Sequence, residues 1–144
     1  MPSLSTQGQN TGYTHYLKFT FEDLQRQSWA DSVASFIDIR KKVAFINKGD
    51  ILSYVLFYTE TPAAGASDIA MTAGITETGL TIMNSFDMDA STASANSGTS
   101  MTSNRSLFTG DSPVWIRVQG SIANLTAGEW VVALKILSVL PITK

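Results

Sequence analysis

Group transfer from a serine or threonine hydroxyl needs a base to take the proton, and this chain has one histidine, His15. His15 falls inside an alternating strand pattern, where it reads as a sheet-edge or half-buried residue with its ring nitrogens bonded. No triad is expected. Cysteine is absent, which removes thiol nucleophiles, disulfide scaffolds and cysteine-based zinc sites together. Asp87 and Asp89 stand two apart, the spacing that puts both carboxylates on one face of an extended chain, as a glycosidase would need. They open a polar stretch, however, and Asp87-Met88-Asp89 lacks the further oxygen ligands that a calcium loop supplies at fixed offsets. A solvated loop is the simpler reading. Glu22-Asp23 reads as a solvated strand end. The ten glycines are scattered at turns and build neither a Walker nor a dinucleotide fingerprint. The expectation is a non-enzymatic chain with no catalytic residue, metal or cofactor.

Binding candidates remain. Arg40-Lys41-Lys42 is the one basic cluster. Beside Asp38 it reads as a solvated turn; the sharper alternative has Lys41 and Lys42 touching an acidic neighbour in an assembly. Trp29, Trp115 and Trp130 suit a hydrophobic core, a sugar platform or an oligomer interface. Trp115 is the tryptophan expected to be exposed, because its alternation partners Arg117 and Gln119 are polar. Leu4, Lys41, Lys42, Trp115 and Arg117 are therefore the candidate partner contacts. Ten basic against twelve acidic residues, for a net charge of −2, provide no field for gathering phosphates, so nucleic acid is not expected. No uncharged apolar run approaches the ~18 residues of a membrane span, and MPSLSTQGQNTG has neither the charged nor the apolar region of an export signal. A soluble chain without membrane contact is expected.

Elements must position these residues. Residues 1–12 carry Ser, Thr, Gln, Asn and Gly around Leu4, too little apolar surface to offset ordering entropy. They read as a flexible N-terminal arm that orders against a neighbour. Tyr13, His15, Leu17, Phe19 and Phe21 alternate with polar or amphipathic residues, which predicts a first strand with one dry face. Glu22 to Asp31 suits a helical turn or irregular connection. A second extended run, Val33 to Ile39, is interrupted at Arg40-Lys41-Lys42. A third, Val43 to Ile46, meets the turn Asn47-Lys48-Gly49-Asp50. Ile51 to Thr61 is too continuously apolar for an edge and is expected to lie centrally. Asp68 to Thr72 reads as a short strand, and Gly79 to Phe86 as another apolar segment. Residues 87–104 are small and polar, a long excursion or loop. Val114, Ile116 and Val118 alternate with Trp115, Arg117 and Gln119, a half-exposed strand. Glu129 to Leu140 is apolar on both faces, hence central or in an interface. Its β-branched content between Gly128 and Pro141 favours strand over helix. The expected fold is all-β: a single antiparallel β-sandwich over 13–144, a jelly roll of about eight strands, behind the arm.

From Val33 to Leu140 the segment order resembles the jelly-roll virion proteins of tailed bacteriophages, of head decoration or cement type, and related fibre-base modules. The likeness is carried by the Lys48-Gly49-Asp50 turn into ILSYVLFYTET, the loop PAAGAS and the strand DIAMTAG. Later come Gly110-Asp111-Ser112-Pro113, VWIRVQG, the loop Leu125-Thr126-Ala127-Gly128 and EWVVALKIL. The resemblance implies a structural component of the virion that binds the major capsid protein or other virion proteins. It also implies a homo-oligomer, commonly a trimer seated where capsomers meet, with the arm or loop edges on the shell. A tail or fibre component of the same fold is one alternative; a carbohydrate-binding module, with aromatics exposed in one row, is another.

Overall fold

The computed structural model describes residues 14–89, 95–97, 106–107 and 110–138. The arm at 1–12, with Leu4, lies outside the described residues, as does most of the polar stretch at 87–104.

Strand β1 (His15–Thr20) turns its alternate residues His15, Leu17 and Phe19 inward and ends in a capping box. The Asp23 amide donates to the Thr20 hydroxyl at 3.4 Å, and the Thr20 amide donates to the Asp23 carboxylate at 3.0 Å. This reciprocal pair satisfies two amides at the start of the short helix α1 (Phe21–Gln25). Asp23 is thus a helix cap rather than a solvated strand end. A 3₁₀ turn over Gln27–Trp29 follows.

Strand β2 (Asp38–Ile46) runs straight through Arg40-Lys41-Lys42, which corrects the expected break and turn there. Residues Asp38 to Lys42 and Ala44 to Ile46 are in register with the partner strand β8 (Ser112–Gln119), with Val43 in the irregularity between them. Three charges are tolerated mid-strand because alternation sends Arg40 and Lys42 to the solvent side, while Lys41 sits where its stem reaches the sandwich edge. The turn after β2 is as expected. Gly49 adopts φ 93°, Asp50 N–H donates to Asn47 O at 3.0 Å, and the Asp50 carboxylate accepts from Asn47 N–H at 3.2 Å.

Strand β3 (Ile51–Ala64) continues past the expected stop at Pro62. The ladder slips between Thr61 and Ala64, which frees the proline from donating a ladder hydrogen bond. Then come β4 (Ala70–Gly74), β5 (Met83–Asp87), β6 (Ala95–Ser97), β7 (Ser106–Leu107), β8 (Ser112–Gln119) and β9 (Ala127–Leu137). The nine strands among the described residues exceed the expected eight because β6 and β7 are short pieces on β3.

All pairings are antiparallel, in two sheets. The first runs β1-β9-β3-β6, with β7 also on β3; the second runs β2-β8-β4-β5. The chain therefore folds as an all-β, two-sheet sandwich, with β3 and β9 central as expected. Their inner faces oppose Val55 to Leu134, Phe57 to Val132 and Thr59 to Trp130. Against them the second sheet places Ile39, Met71, Val114, Ile116 and Val118, all fully buried. Each such large side chain contributes ~1.5–3 kcal/mol of transfer free energy. Trp130 is fully buried without losing a hydrogen bond, since its indole N–H donates to Met88 O at 3.0 Å. Gly128, at φ 148°, lies under that indole, and any Cβ there would overlap the ring. Among the described residues no helix is long and apolar enough to cross a membrane.

Candidate partner-binding face

Four of the five candidate contacts lie on β2 and β8, and the register explains how they meet. Lys42 opposes Trp115, Arg40 opposes Arg117, and Asp38 opposes Gln119. Directly opposed residues share a sheet face, and Ile116 and Val118 are in the core, so these three pairs form the outer face of the second sheet. Lys42 and Trp115 are in contact: the ammonium stands 5.4 Å from the indole centroid, a cation–π pair. On the other side Trp115 opposes Gly74 of β4. That position admits no side chain, because the backbone of Gly79 in the β4–β5 loop packs against it.

Lys41 opposes Ile116 and belongs to the other side of the strand. Its ammonium donates to Trp29 O at 3.0 Å, sits 5.2 Å from the Trp29 ring, and pairs with Asp31 at 3.5 Å. Trp29 in turn packs on Phe19, ring centroids 5.1 Å apart, and Phe19 on Trp130 at 5.6 Å. Lys41 thus closes the sandwich side at the end of an aromatic stack. The ion pairing separates the neighbours: Lys41 has its carboxylate, whereas among the described residues Lys42 has no carboxylate partner and is exposed.

Arg117 is likewise committed. Its guanidinium makes a bidentate pair with Asp38, Nε to Oδ1 at 3.1 Å and Nη2 to Oδ2 at 2.9 Å. Arg40 binds the same carboxylate, Nη2 to Oδ2 at 3.0 Å, and reaches Glu77 of the β4–β5 loop at 3.3 Å. The Ser32 hydroxyl donates to Glu77 as well. Burial by itself would push the Asp38 carboxyl up, but hydrogen bonds from Arg117 and Arg40, and their charges, hold it below the ordinary value of 3.8. The Ser32 hydrogen bond, against partial desolvation and with help from Arg40, lowers Glu77. The network ties β2 to β8 and draws the β4–β5 loop across the face.

Three cations, Arg40, Arg117 and Lys42, thus stand against two carboxylates, Asp38 and Glu77. The uncompensated charge sits at Lys42 on Trp115. Phe45, exposed opposite Pro113, adds apolar surface at this end of the face, and the β4–β5 loop carries exposed Ile75 and Leu80. A cation on a half-buried indole, with apolar surface at the same end of the face, can take an acidic, partly apolar partner. Trp130 is in the core and Trp29 packs between the sheets, so the tryptophans do not form a row on this face.

Asp38 and Arg40 were read from the sequence only as parts of a solvated turn, and Glu77, Gly74 and Phe45 were not singled out. The first two had a signal, the alternation Asp38, Arg40, Lys42, once the strand is read as unbroken. Glu77 had none, since a loop residue reaches this face only through the fold.

The other chemical candidates stay apart. His15 lies in β1 with Nδ1 2.9 Å from the Thr14 hydroxyl, and partial burial lowers its pKa. Asp89 is raised by a hydrogen bond with the Asp87 carboxyl, then by burial and by the charge of Asp87. Among the described residues no group of three or more His, Cys, Asp or Glu side chains could hold a metal. No family model, no curated protein and no solved structure matches this chain.

Proposed function

We propose that this chain is a non-enzymatic structural protein of a virion, a capsid decoration protein that docks on the major capsid protein or another virion protein. The observation that carries the reading is the strand order. The chain changes sheets at every step except β4 to β5 and β6 to β7, so sequence-distant strands such as β1 and β9, or β2 and β8, become neighbours. This order supports the reading as a jelly roll, an architecture that viral capsid domains share with lectins and cupins. Fold alone does not assign a function; the resemblance of its segments to head decoration proteins supplies the functional step. The docking surface in this reading is the end of the second sheet's outer face, where Trp115 is the anchor and Lys42 meets an acidic neighbour. Self-association belongs to the same proposal.

The test is co-sedimentation of the purified chain with undecorated phage shells. The chain should pellet with shells. Lys42→Glu should weaken attachment at least tenfold at low salt, and Trp115→Ala by a similar factor, without loss of folding. A chain that stays in the supernatant at every shell concentration, or binds shells equally well with both substitutions, sinks the proposal. Retention on tails instead of heads would move it to a tail component, and saturable glycan binding without shell binding would replace it with a sugar-binding module.

A further inference from the structure

Strands β1 and β2 lie against each other at one side of the sandwich, each the outermost strand of its sheet. An outermost strand presents unpaired N–H and C=O groups, and proteins normally blunt such an edge. The chain does so at β2. Asp31 and Ser32 N–H donate to Arg40 O at 3.0 and 3.2 Å, Arg40 N–H donates to Val33 O at 3.2 Å, and Ser35 N–H donates to Asp38 O at 3.0 Å. The Asp31 carboxylate accepts the Lys42 N–H at 2.9 Å. A short return segment and one carboxylate thus seal that edge.

At β1 the protection among the described residues is confined to its end, where the Asp23 carboxylate accepts the Thr20 N–H at 3.0 Å. Among the described residues no backbone group pairs with it on the side away from β9. Alternate residues of an antiparallel strand send their backbone groups away from the partner, so part of β1 has no backbone partner among the described residues. The strand contains no proline, and its register with β9 is unbroken from His15 to Thr20. Its one cation, Lys18, is held by Glu129 of β9 at 3.1 Å instead of guarding the edge.

We propose that this edge pairs antiparallel with β1 of a second copy across a two-fold axis, joining the first sheets of two copies into one. The argument for a second copy is self-complementarity. Opposed residues in a ladder share a face, so the pairing must centre on one residue. Centred on Leu17, it sets Leu17 on Leu17 of the second copy. His15 then lies beside Phe19 on the inner side, and Tyr16 beside Lys18 on the outer side. Centred on Lys18, it would oppose two ammonium groups; centred on Tyr16, it leaves Phe19 and Thr20 without partners. The Leu17 register also covers Tyr16, which is 51% exposed. The pairing leaves the outer face of the second sheet free, so this inference stands or falls separately from the docking of the chain on other virion proteins.

The test uses the full chain in sedimentation equilibrium with hydrogen exchange. A monomer–dimer equilibrium is expected, with alternate β1 amides exchanging more slowly as concentration rises. Tyr16→Lys places two like-charge contacts across the axis and should weaken the dimer about tenfold. Tyr16→Glu faces Lys18 instead and should keep or tighten it. Both substitutions sit on an exposed position, and circular dichroism should show the fold intact. The proposal is overturned by a monomer at every concentration, by an oligomer that the two substitutions affect equally, or by β1 amides already fully protected in the dilute monomer.

Discussion

The two outer faces of this sandwich are built on the same alternation and end with opposite chemistry. On the second sheet the face is ionic: Asp38 holds Arg40 and Arg117, Arg40 holds Glu77, and Lys42 covers Trp115. On the first sheet the corresponding face carries Tyr16, Leu56, Tyr58, Val131 and Ala133, with Lys18 and Glu129 paired at its margin. Val131 and Ala133 are almost inaccessible yet stand outside the interior core cluster. The contrast shows that a face turned away from the core need not be polar. One face is fixed by directional charge pairs that bind strands and a loop together, the other mainly by contact between apolar side chains, with one ion pair at its margin. They should therefore respond differently to substitution, salt and pH.

The largest effect is expected at Asp38. Asp38→Ala leaves two partly buried guanidinium groups without their acceptor and should cost about 1–3 kcal/mol in urea unfolding, reduced by added salt. Its pH dependence has a definite sign. The folded carboxyl titrates below its ordinary 3.8, so its contribution is complete above that value and is lost as pH falls through the lowered folded value. Asp38→Asn should flatten this acid limb. On the apolar face, Leu56→Ala should cost about 1–2 kcal/mol, independent of salt and pH. Equal salt sensitivity of the two variants would erase the distinction between the faces.

Asp89 provides a smaller effect of opposite sign. Its folded pKa is raised, so its contribution is present below the ordinary value and is lost as pH rises through the raised one. Asp89→Asn should remove that loss, visible as a flatter stability profile in mildly acidic solution. The smallest effect on folding is expected at Lys42, where Lys42→Glu should stay within about 0.5 kcal/mol. Lys41→Glu next to it should cost roughly 1 kcal/mol or more, since it breaks the bond to Trp29 O and opposes Asp31. If the two reversals destabilise equally, the separation of these lysines into a structural and a presented one fails.

Much of the fold was legible from alternation. His15, Leu17 and Phe19, then Val114, Ile116 and Val118, then Trp130, Val132 and Leu134 all face inward as their spacing predicts. The continuous apolar runs of β3 and β9 are central because only strands flanked on both sides bury both faces. The Asn47–Asp50 turn was readable from its glycine and acid. The break expected at Arg40-Lys41-Lys42 failed because charge density was weighed above alternation; in a strand, three successive cations point to two different sides. The continuation of β3 through Pro62 was hidden because whether proline is tolerated depends on the partner's register.

The candidate face was legible only as separate residues. Trp115 and Arg117 were recognisable from β8, and Lys42 from its charge, while their meeting depends on a pairing of strands some seventy residues apart. By itself the sequence determined which side chains face the core, where the chain turns, and that cysteine chemistry is excluded, because these follow from residue type and local period. Tertiary structure alone decided which strands are neighbours, and with them which of two adjacent lysines is bound and which is presented. It also decided that, among the described residues, the β2 edge is sealed by a return segment while the β1 edge is capped only at its end. Register and edge protection are long-range hydrogen-bond relations, and no local period encodes them.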